Sequence, residues 1–101
     1  MNYQFRSLYG TQQYTLQIQL SKYATGNNRM QLIDCADGFP FATASVDHPS
    51  LAENEIAVKN WSENEGVLEF LLDNNIVEQP HRLIGSGFVT IYVCMLKLEN
   101  L

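Results

Sequence analysis

Two histidines, two cysteines and eleven carboxylates are the side chains of this chain with the most chemistry to offer. Their spacing decides what that chemistry is. His48 and His81 stand alone in loop-like segments, with no HxxxH or HExxH pair to hold a metal. Cys35 and Cys94 lie 59 positions apart with no CxxC and no Cys/His cluster, the pattern of buried structural thiols. No serine occupies a GxSxG elbow, and Gly85-Ser86-Gly87 lacks the lysine and helix of a phosphate loop. Asp34 and Asp37 near Gly38 do not match a calcium loop. A triad assembled only in space is invisible at this level. The expectation is a protein without catalytic residues, metal or cofactor.

The carboxylates are informative through their distribution. Residues 1–46 are nearly neutral, with Arg6, Lys22 and Arg29 against Asp34 and Asp37. Residues 47–78 carry eight carboxylates and one base, Lys59. Such a segment repels phosphate backbones and attracts basic protein surfaces, so a protein partner is expected and direct nucleic-acid binding is not. Part of this charge falls on an amphipathic helix expected near residues 63–73. Ser62 followed by Glu65 reads as a capping box, and Asn74-Asn75 as a left-handed stop. Val67, Leu68 and Leu71 share one face with Asn64, while Glu65, Glu69 and Asp73 form a ridge opposite. Glu63, Glu65, Glu69 and Asp73, with Trp61, are the candidate partner-binding residues, against the plainer reading of a solvated helix face. A small-molecule or anion site at the helix start, lined by Asn60, Trp61 and Asn64, is the alternative. A structural subunit of a larger assembly is another.

Strands must position that helix. Tyr14, Leu16, Ile18 and Leu20 alternate with Thr15, Gln17 and Gln19, the period of a half-buried strand. Tyr3, Phe5 and Tyr9 precede it, with Gly10-Thr11 as the connection of a first hairpin. Met30–Cys35 and Phe41–Val46 flank Asp37-Gly38 as a second hairpin, and Glu55–Lys59 reads as a short strand. Gly85–Gly87 reads as a bulge or turn before the last strand, Phe88–Met95, which is apolar on both faces. The fold expected is α+β: one domain over 1–101, an antiparallel sheet of five or six strands and one helix. One helix covers one sheet face. Val89, Ile91, Val93 and Met95 are therefore expected to form a homodimer face, unless the N-terminal hairpin folds over them.

At 101 residues the chain has the length of one domain, and no run of 18 apolar residues is present to span a membrane. Met1–Arg6 lacks the basic-then-apolar layout of a secretory leader, which makes the cytoplasm the expected compartment.

The run Asn60-Trp61-Ser62-Glu63-Asn64-Glu65-Gly66 resembles a family of short bacterial proteins of unknown function. Its members occur in genomes, plasmids, integrative elements and prophages. Gly38-Phe39-Pro40-Phe41-Ala42-Thr43, Ser86-Gly87-Phe88-Val89 and Val93-Cys94 extend the resemblance over most of the chain from Tyr14 onward, while Glu78–Ile84 fits less well. The resemblance implies no activity and no catalytic residue. It implies a setting: accessory proteins of mobile elements, which often bind host proteins and include inhibitors of CRISPR nucleases.

Overall fold

Alternation does fold the first half into strands. The computed structural model describes residues 2–6 and 12–97. Strand β1 (Tyr3–Arg6) pairs antiparallel with β2 (Gln13–Lys22), which places Tyr3, Phe5, Tyr14, Leu16 and Ile18 on one face and the glutamines on the other. The expected connection through Tyr9 and Gly10-Thr11 lies outside the described residues. Strand β3 (Asn28–Asp34) returns along β2, and β4 (Pro40–Thr43) returns along β3 through the Asp37-Gly38 turn. In that turn Gly38 takes φ 77°, a left-handed geometry that glycine adopts without a Cβ clash.

The expected single sheet of five or six strands is instead two antiparallel sheets of four. The first runs β1-β2-β3-β4. The second runs β5-β6-β8-β7, built from β5 (Ser45–Val46), β6 (Glu55–Val58), β7 (Arg82–Ser86) and β8 (Val89–Met95). Ala44, fully buried, is where the run from Phe41 to Val46 changes sheets. Its N–H donates to Met30 of β3 at 2.9 Å, and its carbonyl accepts from Lys59, just past β6, at 2.8 Å. Ser45 Oγ accepts from the Met30 amide, and Asn28 Nδ2 donates to the carbonyls of Glu53 and Glu55. The N–H and C=O of a residue in a regular antiparallel ladder serve the same neighbouring strand, so the divided bonding of Ala44 marks the crossing from one sheet to the other.

The expected helix also divides. Ser62–Asn64 form one 3-10 turn, and α1 covers only Val67–Asp73. Gly66, with φ 95°, breaks them apart. It is the residue immediately before α1. The stop is where the sequence places it, with Asn75 left-handed at φ 57°. Val67, Leu68, Phe70 and Leu71 bury into a core shared with Leu16, Met30 and Leu32 of the first sheet and Ile56, Val58 and Cys94 of the second. Edge-to-face contacts of Phe70 with Tyr3 (6.3 Å) and Phe5 (5.4 Å) seat α1 on the first sheet. Among the described residues no helix is long and apolar enough to cross a membrane.

The outer face of β8 is closed by the chain itself. Val93 and Ala57 have no exposed surface, Ile91 is buried, and Val89 and Met95 are half-buried. On this side residues 47–54 form a strap, tied to the sheet where Arg82 donates to the Ser50 carbonyl and Glu55 accepts from the Ala52 amide. Ile91 and Val93 are therefore buried within one chain, and the row expected as a homodimer face is not an open apolar patch.

Candidate functional site

Three groups of residues outside the core are arranged to do something. The first surrounds the start of α1. The expected capping box does not form. Ser62 has left-handed φ 57°, and Glu65 N donates to the Ser62 carbonyl rather than to its hydroxyl. Asn60 takes the role, its Oδ1 accepting from Gly66 N at 3.1 Å and Leu68 N at 2.9 Å. Asn64 is buried and donates through Nδ2 to the Thr43 carbonyl at 2.7 Å. Asn60 Oδ1 and Asn64 Nδ2 of the alternative anion pocket are therefore engaged inside the chain, with Trp61 half-buried beside them in sequence. We expect Asn60→Ala to lower stability by about 2 kcal/mol, because two amides at the helix start lose their acceptor. Ser62→Ala should leave stability within about 0.5 kcal/mol. Chemical denaturation of both variants checks this, and the opposite ranking would restore the serine as the cap.

The acidic segment 47–78 does not form one surface. Asp47 accepts from Thr25 and Asn27, which anchors the strap. Glu63 meets Lys59 Nζ at 2.6 Å, and that bond first of all holds its carboxyl down at about 2. Glu55 is buried. What remains on α1 is Glu69 and Asp73, four residues apart, both exposed, neither in an ion pair among the described residues. Glu65 is exposed too, but it precedes Gly66 and so does not continue their row on the helix. A shallow groove of about 280 Å³ between β1 and α1 adjoins this face, lined by Gln4, Arg6, Glu69, Phe70 and Asp73 among others.

The second group is a polar network that sequence reading did not find. Glu55 Oε2 accepts from His81 Nε2 at 2.5 Å, and Oε1 accepts from Arg82 Nη2 at 2.9 Å and from the Ala52 amide at 2.8 Å. These partners, the Ala52 amide foremost, hold the carboxyl at about 2 although burial opposes them. Arg82 continues to Ser50, reaching Oγ and the carbonyl at 3.1 Å each, and Ser50 Oγ lies 2.9 Å from His48 Nδ1. Serine, histidine and carboxylate are thus close together, yet in the wrong order for nucleophilic catalysis. The carboxylate holds His81, whereas the serine contacts His48, whose Nδ1 also accepts from the Ser50 amide. Among the described residues no cluster of His, Cys, Asp and Glu has metal-ligating spacing. The network ties the strap to β6 and β7. No local spacing announces it, because Glu55 and His81 are 26 residues apart.

The third group is the β7–β8 hairpin. Arg82–Ser86, of which the sequence reading took only Gly85 and Ser86, with Gly87, as a bulge or turn, is a full edge strand. Gly87 at φ 62° followed by Phe88 has the sign pattern of a type II′ turn, whose Gly-X signature was available in the sequence. Phe88 is fully exposed at the turn and Leu83 is 62% exposed on the strand. The thiols divide as well. Cys94 is buried, which raises it to about 12, whereas Cys35, expected to be buried, is exposed.

Comparison with protein-family models, curated proteins and solved structures finds no match to this chain.

Proposed function

We propose that this chain is a non-enzymatic, protein-binding accessory protein of a bacterial mobile element. Its partner is a protein with a basic surface, a class that includes host defence nucleases such as CRISPR effectors. The observation that carries the reading is the exposed pair Glu69 and Asp73 on α1, in no ion pair among the described residues, while Asp47, Glu55 and Glu63 of the same segment are bonded to groups within the chain. Like charges at i,i+4 repel, so the pair weakens the helix it sits on. A cost to folding at the surface is what selection for recognition leaves behind. The mobile-element setting rests on the resemblance of the Asn60–Gly66 run and its companion stretches.

Affinity capture from the native host, followed by mass spectrometry, identifies the partner. With that partner in hand, Glu69→Gln/Asp73→Asn should melt at an equal or higher temperature, gaining about 0.2–0.5 kcal/mol. Its association should slow and lose much of its dependence on salt. Unchanged association kinetics would remove the acidic face from the account.

A further inference from the structure

We infer that the open edge of β7 pairs with β7 of a second copy of this chain, joining two four-stranded sheets into one of eight. Ser86 and Val89 close a two-residue turn and are its hydrogen-bonded pair. Alternation along an antiparallel ladder then leaves the backbone N–H and C=O of Gly85 and Leu83 facing away from β8, at the end of the sheet. Soluble proteins guard such an edge with lysine, proline or a bulge. Arg82–Ser86 contains no lysine or proline and pairs with β8 without a register shift. Its one charge, Arg82, is turned onto Glu55 and Ser50.

The edge suits its own copy in one register. A two-fold axis through Ile84 sets Leu83 against the partner's Gly85, and Gly85 against the partner's Leu83. All four residues present outward backbone groups, which allows four reciprocal hydrogen bonds. Each Leu83 side chain crosses a glycine with open space where a Cβ would be. Arg82 meets the partner's Ser86, so no like charges are opposed. Phe88, the most exposed aromatic of the described residues, stands at the turn beside this edge. A five-residue edge with two apolar anchors sits at the small end of specific interfaces, so the dimer forms at high micromolar concentration rather than permanently.

Sedimentation velocity over a rising concentration series should show monomer giving way to dimer. Added salt should preserve or strengthen the dimer, since each copy carries a net charge of −5. Salt has the opposite effect on binding through the acidic face of α1, so each proposal fails or stands alone. Leu83→Lys, at an exposed position, should raise the dimer dissociation constant at least about tenfold while the melt is unchanged. In a Cys35→Ser background, Ile84→Cys should cross-link between chains under mild oxidation, because the two copies of residue 84 face each other with Cα atoms about 4.5 Å apart. Gly85→Cys in that background should cross-link far less. The inference is overturned by a monomer at every concentration, by a dimer that survives Leu83→Lys, or by cross-linking equal at positions 84 and 85. Should Leu83→Lys fail to fold, the wild-type series and the cross-linking pair decide.

Discussion

Glu55→Ala is expected to destabilise the fold by about 3 kcal/mol at neutral pH, because it strips one carboxylate from a guanidinium, an imidazole and an amide at once. Arg82 and His81 are partly solvated, with side chains 36% and 40% exposed, which sets the loss at the low end for a broken buried pair. The effect should depend on pH with a defined sign. The Glu55 carboxyl is held at about 2 in the fold against 4.5 ordinarily, so its contribution is whole above 4.5. That contribution declines as pH falls from 4.5 toward 2, the unfolded chain taking up the proton first. Urea denaturation of wild type and variant should therefore give curves well apart at neutral pH and converging in acid. A separation that stayed constant down the acid range would mean that Glu55 acts through packing alone. The strap should also loosen in the variant, so amides 47–54 should exchange with solvent faster than those of β2.

Leu71→Ala should cost about 2–5 kcal/mol, the range for emptying a leucine-sized volume in a packed core. Leu71 has no exposed surface and belongs to the cluster that joins both sheets to α1. A helix of seven residues has little stability of its own and persists because this face is buried. The loss should accordingly appear as global destabilisation, with the denaturation midpoint shifting and the slope retained. A variant within about 1 kcal/mol of wild type would show that α1 rests on the sheets without holding them together.

What the sequence determined by itself was local. Period-two alternation in Gln13–Lys22 specifies a strand and its buried face, because side chains of a strand point to opposite sides in turn. Asp37-Gly38 specifies a turn, and Asn74-Asn75 a helix end, because each places residues that tolerate φ above zero where the chain reverses. Val67, Leu68 and Leu71 mark the buried side of α1 for the same reason of period. The hydrophobicity of both faces of β8 correctly called for cover on both.

The tertiary structure decided everything that depends on partners far along the chain. Ala44 looks like any residue within a strand, and only its bonds to Met30 and Lys59 turn one strand into two in different sheets. Ser62 has the type and spacing of a cap, yet Asn60 reaches the helix amides from six and eight residues away, once Gly66 bends the chain back. The acidic run reads as one surface until folding pairs Glu63 with Lys59 and draws Glu55 under Arg82 and His81. No periodicity foretells the strap 47–54, because its hydrogen bonds to Asn27, Asn28 and Arg82 join residues 20 or more positions apart. Propensity and period act within a turn or two of the chain, whereas burial and charge pairing are settled only when distant segments meet.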